Sequence, residues 1–334
     1  LRSMGTFFVN YDFFPGLTGK INLGYDLLNR TESAYYPRTT LLGSEVGGAA
    51  RKLNAFDVTW MTDFLLDFNK SFGNHQINAT TGFNAQANTL DRTLAARYGF
   101  ITDALGTGNL SGGSMEVIPQ SERREWALAS FLGRVNYIFD NKYLLTFSGR
   151  YDGSSRFGEN NKWAFFPSGA LSWVVSEESF MQGVDLINYL KIRTSYGVTG
   201  NQEIGLYRSL PRYNTVTEVL GNDTYVGVGP ASNGIPNPDL TWEQTSQLDV
   251  GMDLSIYGGR FNFTFDYYDK ITTDLLMEFP VARSSGFSTV LQNSGKISNK
   301  GIEASVRTNL NAGKLGISLD ANFTYNKNEI INLG

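Results

Sequence analysis

The chain has 334 residues, of which 41% are hydrophobic, 13% aromatic and 18% charged, with a formal net charge of −4 and no cysteine. Lys and Arg are scattered rather than gathered in a basic stripe, which argues against nucleic-acid binding, and the lack of cysteine excludes disulfides and thiolate metal sites. No window approaches the ~18 consecutive apolar residues of a transmembrane helix, so any membrane span must be built from strands.

Apolar and polar residues alternate along most of the chain, and this period of two predicts strands. In GRFNFTFDYYDK, residues 259–270, the apolar positions are Phe261, Phe263, Phe265 and Tyr267. Successive side chains of a strand point to opposite faces, so such a strand has one aromatic and one polar face. The pattern predicts about twelve strands, near residues 5–13, 18–28, 54–69, 76–88, 126–139, 142–152, 164–176, 190–199, 241–256, 260–273, 297–310 and 314–327.

The connections between these strands alternate in length. Odd-to-even junctions are mostly tight turns such as Pro15-Gly16, Gly73-Asn74 and Asp140-Asn141, although 177–189 is longer. Even-to-odd junctions are long, at 29–53, 89–125, 153–163, 200–240 and 274–296. This rhythm, with strands that reach the ~9–11 residues of a bilayer crossing, predicts an all-β, antiparallel up-and-down transmembrane β-barrel with short periplasmic turns and long extracellular loops.

Several long motifs identify a family resemblance. They include DGSSRFG, FPSGALSW, SYGVTGNQ and NKGIEA, within the segments 142–181, 190–205, 237–270 and 293–309. These segments resemble the barrel of the SusC/RagA family of TonB-dependent outer-membrane transporters. The resemblance implies a barrel of about 22 strands around an N-terminal plug, a SusD-like surface lipoprotein as lid, and import of oligosaccharides or peptides powered through TonB.

Only about twelve of the implied strands are found. We therefore expect residues 1–334 to be one partial barrel domain, without the plug, the TonB-contacting segment or the targeting signal. Two other functions remain open from the residues alone. One is a passive porin or adhesin barrel; the other is a soluble glycan-binding β protein that turns its apolar faces into a core.

The long loops place aromatic rings at the predicted extracellular rim. Flat rings beside Asn, Gln and Asp suit sugars, and Tyr and Trp are enriched at protein interfaces. The candidates for contact with substrate or lid are Tyr35, Tyr36, Tyr98, Phe100, Trp163, Tyr207, Tyr213, Tyr225 and Trp242. The alternative is that these rings pack the loops together or belong to an interfacial girdle.

Polar strand positions are predicted to face a water-filled lumen. The candidates are Arg150, Asn262, Asp266, Glu303 and Arg307, together with Arg134 and Arg193. Such residues could guide polar substrates or neutralise one another across the wall.

Nothing in the sequence predicts catalysis. His75 is the single histidine, and we expect it to be a solvated turn residue because neither a second histidine nor a cysteine accompanies it. The adjacent pair Glu177-Glu178 does not fix the ~5–9 Å carboxylate separation that glycosidases need. We therefore expect a transport protein with no catalytic residue, cofactor or metal.

Overall fold

Strands dominate the computed structural model, which describes residues 1–220, 223–230, 234–313 and 315–334. Side chains are described in these ranges except at 215–220, 223–226, 230, 311 and 312. The strands are β1 (Arg2–Phe14), β2 (Leu17–Tyr36), β3 (Ala49–Phe72), β4 (His75–Phe100), β5 (Gly113–Glu116), β6 (Gln120–Phe139), β7 (Tyr143–Ser154), β8 (Trp163–Val174), β9 (Ile187–Asn201), β10 (Tyr213–Leu220), β11 (Asp223–Pro230), β12 (Glu243–Ile256), β13 (Phe261–Thr273), β14 (Leu276–Pro280), β15 (Thr289–Asn293), β16 (Lys296–Ala312) and β17 (Leu315–Asn332).

Helical structure is short. The α-helix α1 spans Leu41–Ser44, and single 3₁₀ turns lie at Asp103–Leu105, Leu110–Gly112, Glu159–Asn161, Val175–Glu177, Ser179–Met181 and Arg283–Ser285. Among the described residues, no helix is long and apolar enough to cross a membrane.

The long strands pair in the order in which they occur in the chain. One sheet runs β1-β2-β3-β4-β6-β7-β8-β9-β12-β13-β16-β17, with β5 added to β4. β10 pairs with β11, and β14 with β15, as separate hairpins. Each long strand lies beside its predecessor, which confirms the predicted up-and-down topology. Asp140 and Asn141 have φ values of 54° and 55°, as the predicted tight turn between β6 and β7 requires.

The chain divides into two compact units. The first contains Leu1–Val9, Ile21–Asp63 and Asn84–Leu128, and the second contains Asn10–Lys20, Phe64–Phe83 and Ala129–Gly334. The second unit includes all strands from β7 to β17 and most of the candidate residues.

The structure corrects the predicted length of several strands. β2 continues to Tyr36, β4 to Phe100, and β6 begins at Gln120, so much of the predicted loops 29–53 and 89–125 is strand. Residues 28–33 of β2 are exposed on both faces, so alternation is no longer required although the hydrogen-bonded ladder continues. The predicted loops 200–240 and 274–296 likewise contain the hairpins β10–β11 and β14–β15.

One face of the second unit is a continuous apolar surface. Directly opposed residues share a face, and the registers of seven strands place one row at Tyr143, Trp173, Ile192, Met252, Phe265, Ala304 and Phe323. The large side chains of this row are between 36% and 61% exposed. We call this face of β7–β9, β12, β13, β16 and β17 the apolar belt.

The height of the apolar belt fits a bilayer. On β12 it runs from Leu248 to Ile256. Eight steps of ~3.3 Å give about 26 Å along the strand, and a tilt of ~40° reduces this to about 20 Å, close to the ~25 Å apolar band of outer-membrane barrels. A soluble sandwich would bury such rings between two sheets. Their exposure favours the membrane arrangement.

Candidate functional site

The polar face of the sheet carries a charged cluster centred on Arg193. Arg193, Gly251, Asp266 and Glu303 lie opposite one another on β9, β12, β13 and β16. Arg193 binds the Asp266 carboxylate through two parallel contacts, Nη1 to Oδ1 and Nη2 to Oδ2, each 2.8 Å. Its Nε donates to Oδ2 of Asp253 at 3.2 Å. One guanidinium therefore joins three strands.

Gly251 makes this cluster possible. A Cβ at this position would lie 2.6 Å from Cζ of Arg193 and would also collide with the Asp266 carboxylate. Because glycine has no side chain, the arginine can cross β12 and reach β13. Sequence reasoning missed this role, because it depends on two residues, Arg193 and Asp266, that flank Gly251 only in the paired strands.

The other predicted lumen residues also lie on the polar face. Arg150 Nη2 donates to Asp152 Oδ1 at 3.1 Å, and Arg307 Nε donates to Asp320 Oδ1 at 2.6 Å. Asn262 donates to the carbonyl of Gly259 at 2.9 Å. Glu303 is exposed directly opposite Asp266. Neighbouring Arg and Asp side chains thus offset much of one another's charge.

A buried aromatic cluster closes the loop end of the second unit. We call Phe157, Phe166, Leu240 and Trp242 the rim cluster. The Trp242 ring is 3% exposed, with its centroid 5.1 Å from Phe157 and 5.4 Å from Phe166. Its Nε1 donates to the carbonyl of Lys162 at 3.1 Å. Trp242 therefore packs the loops together.

Three of the family motifs and the NPDLTW stretch meet in this rim cluster. Phe157 belongs to DGSSRFG, Phe166 to FPSGALSW and Trp242 to the NPDLTW stretch. A Cβ on Gly200, within SYGVTGNQ, would collide with the Phe166 ring. A Cβ on Gly158 would collide with the carbonyl of Pro238. The roles of these motifs in the structure are thus to fold the loops against the strand ends.

The first unit has its own ordered loop around Asp103. Tyr35 Oη donates to Asp103 Oδ1 at 2.8 Å, and the Arg38 backbone N–H donates to the same oxygen at 3.2 Å. The Tyr35 bond first, and then the Arg38 N–H, hold the pKa of the Asp103 carboxyl below its usual value. Phe100 is buried edge-on against Tyr35, with centroids 5.4 Å apart. Tyr35 and Phe100 therefore pack this loop, and sequence reasoning missed Asp103.

The remaining aromatic candidates differ in exposure. Trp163 stacks on Tyr151 on the apolar face, with centroids 5.0 Å apart, in the position of a girdle residue. Tyr36 and Tyr98 are half-buried. Tyr207 and Tyr213 are open to solvent, the latter 65% exposed. Tyr225 belongs to β11, and its side chain lies outside the described residues.

His75 does not lie free in a turn as expected. It is the first residue of β4, half-buried, and its ring stacks on Phe72 with centroids 5.1 Å apart. Its Nδ1 is 2.6 Å from Tyr137 Oη. The turn brings His75 onto the apolar face beside aromatic neighbours, which sequence spacing alone could not show. Within the described ranges, no group of three metal-binding side chains surrounds it or any other residue.

Comparison with known proteins identifies the family. The family model described as TonB dependent receptor-like, beta-barrel, matches residues 2–333. TonB-dependent receptor P3 of Formosa agariphila is 37% identical over 328 residues, which are 98% of this chain and 33% of the receptor. TonB-dependent receptor SusC of Bacteroides thetaiotaomicron is 37% identical over 212 residues, 62% of this chain and 21% of SusC.

Solved structures of TonB-dependent receptors have the same fold as this chain. The RagAB peptide transporter superposes with a TM-score of 0.89 at 30% identity, over 99% of this chain and 36% of the matched RagAB chain. BauA, the ferric preacinetobactin receptor of Acinetobacter baumannii, has a TM-score of 0.55 at 17% identity and shares the fold. The chain spans about a third of the length of the curated relatives that it matches over nearly all its residues. It belongs to the TonB-dependent receptor β-barrel family of the outer membrane and is of the SusC/RagA type.

Proposed function

We propose that this chain forms part of the wall and extracellular rim of a TonB-dependent importer that carries oligosaccharides or peptides across the outer membrane. The observation that carries the proposal is a single sheet with a bilayer-height apolar belt on one face and paired charges on the other. The importer works with a SusD-like surface lipoprotein, draws energy through TonB and has no catalysis of its own.

The polar face suits substrates that are polar but not strongly charged. Arg193 is matched by Asp253 and Asp266, and Arg307 by Asp320, so neither sign dominates locally. A wall with a strong single-sign field would favour ions of the opposite charge. Oligosaccharides and mixed-charge peptides fit this balanced surface, and RagAB is named a peptide transporter.

The rim offers a separate contact surface. Tyr207 and Tyr213 are exposed, and Tyr213 begins the β10–β11 hairpin. Trp242 and Phe100, by contrast, are buried in loop packing. We therefore assign contact with lid or substrate to the segment from Tyr207 through the hairpin.

The test uses the full-length protein in its own outer membrane. The β10–β11 hairpin is replaced by a short Gly-Ser linker, and Tyr213→Ala is compared with Tyr151→Ala, a ring change on the apolar face. We expect the hairpin replacement and Tyr213→Ala to lose either co-purification of the lipoprotein or uptake of labelled oligosaccharide or peptide mixtures. Tyr151→Ala should retain both.

A second arm tests the energy source. Uptake by the wild-type protein should stop when TonB is removed. Uptake that continues without TonB would indicate a passive porin. Recovery of the full-length protein in the soluble fraction would contradict membrane insertion and support a soluble binding protein.

A further inference from the structure

The first unit contains a cavity of about 320 Å³ that is lined by residues of β2, β3 and β4. Each of these strands contributes one leucine to the lining, namely Leu28, Leu53 and Leu90, and Ala55 completes the aliphatic part. The volume lies at the lower end of the ~300–1,000 Å³ range of small-molecule sites. We call this feature the leucine cavity.

The leucine cavity lies on the polar face of the sheet. Asn88 Nδ2 of β4 donates to Asp57 Oδ1 of β3 at 2.5 Å, so both side chains are on one face. Phe56, the neighbour of Asp57, points to the opposite face and is 45% exposed. Leu53 and Leu90 are an even number of positions from Asp57 and Asn88, so they lie on the polar face with them.

The cavity is near the long connections rather than the short turns. β2 ends at Tyr36 before the connection 37–48, β3 begins after it at Ala49, and β4 continues to Phe100. The cavity residues of each strand lie in the half of that strand nearer these ends. Because the long connections are the predicted extracellular loops, a substrate that enters from outside reaches this part of the wall early.

The aliphatic lining favours one kind of ligand. Leu28 is 37% exposed on a face where its neighbours two positions away are Asp26 and Arg30. Aliphatic surface that is exposed among charged residues favours a ligand that covers it with apolar groups. The lining that the structure describes contains no aromatic ring on which a sugar could stack. An aliphatic side chain fits the leucine cavity better than a sugar does.

Arg92 supplies a positive charge in the lining of the cavity. Arg30 and Glu32, which also line it, form an ion pair in which Arg30 Nε donates to Glu32 Oε1 at 2.6 Å. Asp57 is held by Asn88. Arg92 is exposed, and within the ranges that the structure describes its guanidinium makes no hydrogen bond or ion pair. It is therefore the charged group of the lining that is open to a ligand.

We propose that the leucine cavity binds the C-terminal residue of a peptide substrate when that residue is aliphatic. Its side chain lies against Leu53 and Leu90, and its carboxylate accepts hydrogen bonds from the Arg92 guanidinium, which matches a carboxylate with two parallel bonds. A C-terminal residue carries both groups on one carbon atom, as a cavity of this size requires. The inference rests on the proposed function and names peptides as the substrate class.

The test compares peptides that differ in one group at a time. The full-length protein, purified from its own outer membrane, is incubated with peptide pools that end in Leu or Ser, each as free acid or amide, and with a mixture of neutral oligosaccharides. Retained ligands are released and quantified by mass spectrometry. We expect peptides that end in Leu as the free acid to be retained about tenfold more than their amides, because hydrogen bonds to charged groups are strong.

Two variants should each remove one preference. Arg92→Gln should abolish the preference for acid over amide and keep that for Leu over Ser, whereas Leu90→Asn should do the reverse. A variant that fails to fold would lose both preferences and its heat-dependent mobility on gels; if Leu90→Asn does so, Leu53→Asn takes its place. Arg123→Gln removes the same charge from β6, outside the cavity, and should keep both preferences.

Several results would overturn the assignment of the leucine cavity. Equal retention of acids and amides by the wild-type protein is one, and an Arg92→Gln protein that still prefers acids is another. Retention of oligosaccharides without peptides would also overturn it, but would leave the proposed importer standing. Only a protein that neither retains nor imports any member of the two mixtures would contradict the proposed function itself.

Discussion

Replacing Trp242 tests whether this ring supports the rim or contacts the ligand. The ring is 3% exposed, and truncation of such a buried aromatic to alanine costs ~3–5 kcal/mol. If that loss falls on the local opening of the rim loops, amide hydrogen exchange in 155–162 and 234–241 should accelerate by ~10²–10⁴-fold, since ~1.4 kcal/mol is tenfold. Hydrogen–deuterium exchange of the full-length protein, read by mass spectrometry, measures this directly.

Two further variants sharpen the result. Trp242→Phe keeps a ring but loses the hydrogen bond to the Lys162 carbonyl, worth ~1 kcal/mol, so exchange should rise about tenfold or less. Tyr213→Ala, at an exposed position, should leave exchange in 155–162 unchanged. If Trp242→Ala abolished substrate uptake while exchange in both loop segments stayed at the wild-type rate, the assignment of this ring to loop packing would be wrong.

The other predictions address the two faces of the sheet and the Asp103 loop. Gly251→Ala should lower the temperature of the gel mobility shift because the added methyl expels the arginine of β9, whereas Gly133→Ala, which meets open space, should not; equal temperatures would contradict the role of Gly251. Met252→Arg on the apolar belt should cost ~2–4 kcal/mol and reduce outer-membrane assembly, while Thr264→Arg on the polar face should assemble normally; equal yields would refute the assignment of faces. Because the folded pKa of Asp103 is lowered, its stabilisation is present above the unfolded pKa of ~3.9 and disappears as pH falls through the folded value. Hydrogen exchange of the α1 loop, corrected for intrinsic rates, should therefore be constant from neutral pH to about pH 5 and rise only below about pH 4; a rise near pH 6 would exclude this carboxylate as the cause.

Strand positions were predictable because the environment imposes period two. Phe265 lies on the exposed apolar belt whereas its neighbour Asp266 binds Arg193 on the polar face, so apolar and polar residues must alternate in the sequence. The ends of β2 and β4 were not predictable in the same way. Residues 28–33 of β2 are exposed on both faces, and the backbone pairing that continues there leaves no hydrophobic pattern in the sequence.

The candidate site was also only partly predictable from the sequence. The sequence correctly indicated that the loops are rich in aromatic rings, but not which rings are buried. Trp242 and Tyr213 look equivalent in the sequence, and only the approach of Phe157 and Phe166 buries the first. His75 is a further case, since its contact with Tyr137 joins residues 62 positions apart.

By itself the sequence determined the strand periodicity, the alternation of short turns and long loops, and the family, because these are local patterns or long contiguous motifs. Only the tertiary structure decided that Arg193 crosses Gly251 to Asp266 and that four sequence motifs pack into one rim cluster. Each of these depends on strand register and loop approach, which bring together residues far apart in the chain and leave no trace in local spacing.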